Sequence, residues 1–236
     1  MCSAVQSRSS EQLESPLPPA CILLLNDFPG LGKCTIAKSL CSTLTTSNTS
    51  YRLLDNHLII DVAHAIIPDR SPSDYALRKQ FRRLAFDGLK SLEEKNSVVV
   101  LTACLMKTGD DMNLFEEYLD IAKARRVPLV MVNLLCDMES NISRLESEER
   151  KSNGKMKLVD RDVLEKIRQE ASLLDRETIM KCGKRGEVFY FEMDTSNSDI
   201  EQAVESLLRL LCEVTSLPTI SLWIIGFKRE SRTSKS

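Results

Sequence analysis

The segment "DFPGLGKCT", Asp27 to Thr35, holds the densest chemistry in the chain. An apolar run, "CILLL", leads into it; Pro29, Gly30 and Gly32 break regular structure; Lys33 follows at once, and Ile36, Ala37 and Leu40 then take up helical spacing. Glycines at a strand-to-helix turn let the backbone curl until successive N–H groups face one anion. The helix N-terminus adds partial positive charge, and a lysine beside it reaches the outer oxygens. The anion that suits such a loop is a chain of phosphates. Against the spacing G-x-x-x-x-G-K-Ser/Thr, Asp27 stands at the first glycine and Cys34 at the hydroxyl. Asp tolerates a left-handed backbone better than most side chains, so the first departure is sterically bearable. Its carboxylate must then point away from bound phosphates. Thr35 supplies a hydroxyl one residue after Cys34.

A second group of residues has the types that phosphoryl chemistry needs. Asp55, in "YRLLDNHLIID", directly follows the second strand candidate, where an open parallel sheet faces its ligand crevice. Its carboxylate could accept a proton from an acceptor hydroxyl or hold Mg²⁺, directly or through water. Asp is also a favoured helix N-cap, which gives Asp55 a purely structural alternative. His57 sits among "HLII" and reads first as a packed residue. The run "SVVVLTACL" ends in Thr102 and lacks the aspartate that motor ATPases place on that strand. Further on, "DMESNISRLESEERKSNGKMKLVD" carries Arg144 and Arg150 and reads as a lid over about residues 144–160. Its arginines would neutralise a transferring phosphoryl group and exclude water. Pairing of those arginines with Glu146 and Glu149 is the alternative. Arg78 and Arg82, four apart on one helix, could grip an anionic acceptor; like charges at that spacing repel mildly, and an exposed solvated face is the bland alternative.

Positioning these residues falls to short apolar runs that alternate with segments of helical period. The runs are "CILLL", "YRLL", "SVVVLTACL", "VPLVMVNLLC" and "EVFYFEM". Five strand candidates separated by helices predict an α/β domain on a parallel sheet. Ile200, Val204, Leu207, Leu208 and Leu211 mark the core face of the last helix, and Leu77, Phe81, Leu84 and Leu92 mark another. Capping of the last helix by Ser198 is the structural alternative to a ligand-binding role for the loop before it. Residues 1–19, rich in Ser, Pro and Glu, read as a disordered leader, and residues 20–215 as one folded domain. The segment 216–236 holds the only tryptophan and a basic end, and an edge strand, a partner-docking segment or a gene-model artefact would all fit it.

Bulk properties limit the classes. The 236 residues, 42% hydrophobic, can bury one sizeable core and so predict one active site. With 32 Lys and Arg against 34 Asp and Glu, charge gives no global argument for nucleic acid or an anionic membrane as partner. Eight cysteines without a C-x-x-C pair argue against a zinc site and a disulfide framework, and predict reduced thiols in a cytoplasmic protein. No segment reaches the ~18 to 20 apolar residues of a membrane span, so no membrane partner is expected. The sequons at Asn48 and Asn141 then read as chance matches. Composition is silent on oligomeric state.

"PGLGKCT" resembles the P-G-x-G-K-G-T loop of adenylate kinases, which likewise lacks a hydroxyl directly after the lysine. Together with the Asp55 and Arg144 segments, it makes roughly residues 20 to 213 resemble the small P-loop kinases, the group that holds shikimate, gluconate, adenylate and chloramphenicol-phosphorylating enzymes. The resemblance implies a P-loop NTPase three-layer sandwich with a five-stranded parallel sheet of order 2-3-1-4-5 and a helical lid. It implies Mg-ATP as donor, and a small hydroxyl- or phosphate-bearing acceptor held between the loop and the helices after the second strand. Nucleotide binding would then fall to Asp27, Phe28, Pro29, Gly30, Leu31, Gly32, Lys33, Cys34 and Thr35, with Asp194 to Ser196 at the adenine edge. Lys33, Asp55, Arg144 and Arg150 would carry the chemistry, Asp55 would anchor the metal, and Arg78 with Arg82 would hold the acceptor. A nucleotide-binding degenerate kinase without transferase activity, read by a partner, is the rival expectation, resting on Asp27 and Cys34.

Overall fold

The computed structural model describes residues 19–147, 158–181 and 188–216. The five apolar runs form strands β1 (Cys21–Asn26), β2 (Tyr51–Leu54), β3 (Val98–Ala103), β4 (Leu129–Leu135) and β5 (Val188–Asp194). They make one sheet of order β2-β3-β1-β4-β5 in which every neighbouring pair is parallel. Every residue of β1 and β3 is buried. A strand covered by helices on both faces has no solvent side, which is why these runs read as continuous rather than alternating hydrophobics.

Eight helices lie among the described residues: α1 (Lys33–Thr46), α2 (Asn56–Ile66), α3 (Pro72–Ser91), α4 (Gly109–Arg125), α5 (Met138–Leu145), α6 (Arg161–Glu170), α7 (Arg176–Lys181) and α8 (Ile200–Ser216). α1 and α8 cover one face of the sheet, where Ile36, Leu40, Leu44, Leu207 and Leu211 meet Leu23, Leu25, Val100 and Val132. On the other face, residues of α3, α4 and α7 such as Phe86, Phe115, Ile121 and Ile179 meet Ile22, Leu24, Leu101 and Met131. The result is three layers. No described helix is long and apolar enough to cross a membrane.

Two sequence expectations about helix faces need correction. Leu84 is 73% exposed and Leu77, Phe81 and Leu92 are only half-buried; the buried aromatic of α3 is Phe86, whose ring lies 4.8 Å from that of Tyr118 on α4. α3 packs mainly on α2 and α4, so its core side is narrow and the apolar stripe is only partly covered. In α8 the stripe holds except at Ile200, which is 45% exposed in the first turn. Ser198 does not cap α8. Asp199 accepts from Gln202 N at 2.8 Å while its own N–H donates to Gln202 Oε1 at 3.1 Å, so the reciprocal box lies one residue later.

A buried amide network fixes the end of the sheet where the loop emerges. Asn26 Nδ2 donates to Asn133 Oδ1 at 2.9 Å and to Leu105 O at 3.2 Å, and Leu105 N donates back to Asn26 Oδ1. Asn133 Nδ2 in turn reaches Leu174 O and the Tyr190 hydroxyl, each at 2.8 Å. β1, β4 and β5, the connection after β3 and the segment at Leu174 are thereby tied together. Such satisfied buried groups are costly to separate.

Candidate phosphate-binding site

β1 ends at Asn26, and the chain turns through Asp27–Gly32 into α1. The turn works because two glycines take left-handed backbone, Gly30 at φ +103° and Gly32 at φ +98°. Gly30 is doubly required: a Cβ there would stand 2.6 Å from Asn141 Nδ2 of α5. Asp27 is not left-handed, since the only non-glycine residues with positive φ among those described are Asn48 and Arg126. The tolerance expected of it goes unused; the curl sits later in the loop.

The carbonyls of Pro29 and Leu31 are turned toward α5. Asn141 Nδ2 donates to Pro29 O at 3.0 Å, and Arg144 Nη1 reaches Leu31 O at 3.4 Å. Arg168 of α6 supports Asn141 by donating to its Oδ1 at 2.9 Å, and its guanidinium lies 5.4 Å from the Phe28 ring centroid. With the carbonyls engaged on that side, the N–H groups of Gly30, Leu31, Gly32 and Lys33 make no hydrogen bond among the described residues. Unbonded amides at a helix start form an anion-binding cradle. Asn141 is fully buried, so its sequon is structural.

Lys33 is the first residue of α1, and its ammonium pairs with the Asp27 carboxylate. Burial works against the lysine's charge, but the neighbouring Asp27, with Cys104 and Asp55 further off, carries its pKa above the ordinary value. Burial pushes the Cys104 thiol up to about 11 despite the pull of Lys33, so that sulfur stays protonated near neutral pH.

Asp55 caps α2, accepting from His57 N at 3.5 Å, and it does more than cap. Thr102 Oγ1 donates to Asp55 Oδ1 at 2.8 Å and accepts from Asn56 N at 2.9 Å, so β3 holds the start of α2 in place. The Cys34 thiol also donates to Asp55, and His57 Nδ1 lies 3.6 Å from its Oδ1. Burial alone would raise the carboxyl, but these donors and the nearby His57 hold it far below the usual carboxylate range. The missing aspartate of β3 is thus replaced by a threonine that orients Asp55 from the neighbouring strand.

A cavity of about 210 Å³ opens against this loop. Pro29, Gly30 and Gly32 to Thr35 form one wall; Asn56, His57 and Ile60 of α2, with Arg70 and Arg78, form the other; Cys104, Leu158, Val163 and Ile167 close it. Arg78 reaches the cavity already paired with the fully buried Asp74, Nη2 to Oδ2 at 2.5 Å. Arg82 is not in the wall, a correction to the expected pair, because it faces the side of α3 near Tyr118. Arg144 is also outside the wall: it donates to Thr195 O at 2.5 Å and Thr195 Oγ1 at 3.0 Å, tying α5 to the loop after β5. Arg150 lies outside the described residues, as does most of the expected lid. Asp194 accepts from Ser196 N and Oγ at 2.8 and 2.6 Å, and Ser196 Oγ accepts from Asp137 N at 3.0 Å. Those two residues lie apart from the cavity, on the side where Arg144 meets Thr195.

Sequence reasoning missed Arg70, Cys104, Asn141 and Arg168. For Arg168 the only signal was one arginine in a charged helix; for Asn141 it was a polar residue amid a helical stripe. Among the described residues no group of three or more His, Cys, Asp or Glu could hold a metal ion by itself.

The fold is that of the P-loop kinases. The chain is similar to a gluconokinase from Sinorhizobium meliloti 1021, with TM-score 0.52 and 14% identity over 85% of this chain and 95% of that one. It is similar to Kti12 from Chaetomium thermophilum in complex with ADP-AlF3, with TM-score 0.50 and 14% identity over 80% and 98%. It is also similar to a shikimate kinase from Acinetobacter baumannii in complex with shikimate, with TM-score 0.50 and 13% identity over 84% and 96%. No protein-family model and no curated protein matches the sequence.

Proposed function

We propose that this protein is an ATP-dependent phosphotransferase acting on a small hydroxyl- or phosphate-bearing metabolite. The observation that carries the proposal is the cavity of about 210 Å³, with the phosphate loop as one wall and the start of α2, Arg70 and Arg78 as the other. Donor and acceptor would meet across it, as in-line transfer requires. The volume suits a metabolite rather than a polymer segment. Similarity in fold to proteins named gluconokinase and shikimate kinase supports the direction.

The loop amides and Lys33 would bind the phosphates, with Thr35 beside them in the first turn of α1. Mg²⁺, when bound with the nucleotide, would offset phosphate charge. It prefers oxygen ligands and keeps several waters, so a single ionised carboxylate fits it and a dedicated protein cage is not needed. Asp55 is the residue that would hold it, through water. Cys34 is not a candidate ligand, because its thiol serves Asp55 and sulfur is a poor donor to Mg²⁺. A carboxylate held so strongly ionised is a weak general base, so metal anchorage or acceptor orientation suits Asp55 better than proton abstraction. Arg78, with Arg70 at the cavity mouth, would hold an anionic part of the acceptor. Arg144 would steady the base end of the nucleotide beside Thr195 and Asp194–Ser196, and Arg150 would serve from the lid.

The second proposal is a nucleotide-binding protein without transferase activity. Two observations favour it: Lys33 is taken by Asp27, and similarity extends to Kti12, whose solved structure holds ADP-AlF3. Screening a metabolite panel for stimulated ADP release separates the two. Release raised at least ~10-fold by one acceptor class, and lost in Lys33→Ala, is the result expected of the enzyme. ATP binding without stimulation by any acceptor would favour the second proposal.

A further inference from the structure

The loop that would receive phosphates already contains an anion. Asp27 is fully buried, and the Lys33 side chain paired with it is 11% exposed. Asp27 cannot drift away when a ligand arrives, since its backbone directly continues β1 and its N–H donates to Ala103 O at the end of β3 at 3.4 Å. A glycine at this position would leave the lysine wholly to the ligand. Here an incoming polyphosphate meets an ammonium that is already neutralised.

Two arrangements are open to the bound state, and both cost binding energy. If Lys33 stays with Asp27 and also touches phosphate, two anions share one cation in a partly dry site. If Lys33 swings fully to the phosphate, a buried carboxylate loses its ammonium partner, which is strongly unfavourable. Arg78 and Asp74 repeat the arrangement in the same cavity, so its two nearly buried cations, Lys33 and Arg78, both come with carboxylates built in.

We propose that Asp27 is an internal competitor of the phosphate chain for Lys33: a built-in anion that holds the loop in a self-paired state and weakens its affinity for polyphosphate. The proposal rests on the assignment of Asp27–Thr35 as a phosphate loop. It makes Asp27 the residue that sets how much anionic ligand, or how well neutralised a ligand, is needed to load the site.

Calorimetric titration of inorganic tripolyphosphate and of Mg-ATP into the wild type, Asp27→Asn, Asp27→Gly, Lys33→Ala and the double variant Asp27→Asn/Lys33→Ala tests it. Circular dichroism checks the fold of each, and the glycine variant stands in should the asparagine variant not fold. Both Asp27 variants are expected to bind tripolyphosphate at least ~10-fold tighter, because the ammonium is released to the ligand. That gain should vanish on the Lys33→Ala background. Ligand-free melting temperature should fall in the Asp27 variants, since Lys33 loses its counterion, while the ligand-induced rise should grow. Equal or weaker tripolyphosphate binding by a folded Asp27 variant overturns the proposal, and so does a gain that persists without Lys33. Tighter tripolyphosphate binding with no ATP binding at all would uphold the competitor and remove the nucleotide. ATP binding that needs Lys33 but is unmoved by Asp27 substitution would do the reverse.

Discussion

Asp55 shows how much of a site depends on partners that sequence neighbours do not reveal. Its place after a strand candidate was legible, as was its N-cap role. The Thr102 and Cys34 donors were not, because they come from β3 and the first turn of α1, and only the sheet order brings them to one carboxylate. The apparent defect at Cys34 becomes intelligible: a thiol there donates to Asp55 as a hydroxyl would. Lys33, Gly30 and Gly32 were legible because backbone curl and positive charge impose residue types directly. The pH dependence of Asp55 follows from its lowered pKa. A depressed carboxylate adds stability that is fully present above the unfolded value of about 3.9 and is lost as pH falls toward the lower folded value. Asp55→Asn should therefore destabilise the protein by about 1–3 kcal/mol near pH 7, leaving Thr102 and Cys34 with a weaker acceptor. The gap should stay level down to about pH 5 and narrow below about pH 4. Urea denaturation of both proteins across that range measures it, and a gap that widens in acid would contradict the assignment.

At the scale of elements, strands were easier to place than helix faces. Runs such as "CILLL" and "SVVVLTACL" are long, β-branched or aliphatic, and bounded by turn residues, so both their existence and their burial were legible. A helix face is set by what packs on it, and α3 meets its neighbours along a narrow line around Phe86 that no periodic count singles out. Substitution should separate the two kinds of apolar position. Phe86→Ala removes a ring packed on Tyr118 and should cost about 3–5 kcal/mol, whereas Leu84→Ala should change stability by less than about 0.5 kcal/mol. Equilibrium unfolding of the two variants makes the comparison. Similar losses would mean that Leu84 is covered in solution.

For the molecule as a whole, the alternation of strands and helices already dictated a parallel sheet, because parallel neighbours need crossover connections and helices fill them. The order β2-β3-β1-β4-β5 was implied by the resemblance to small P-loop kinases rather than by the alternation, which is compatible with other orders. That order makes β1 central and places the loop after it between the ends of β3 and β4, where Arg78 and α6 line the cavity with it and Asp55 lies behind the wall, joined to it through Cys34. The curl of the loop was legible, and the wall that faces it was not, since that wall depends on single side chains from α2, α3 and α6. The central claim is therefore that Gly30 to Thr35 bind the phosphates of a nucleotide with the help of Lys33. Calorimetric titration of Mg-ATP into the wild type and a folded Lys33→Ala variant tests it most directly. The predicted result is measurable binding that weakens at least ~10-fold, about 1.4 kcal/mol, when the ammonium is removed; equal affinity in the two proteins would contradict the claim.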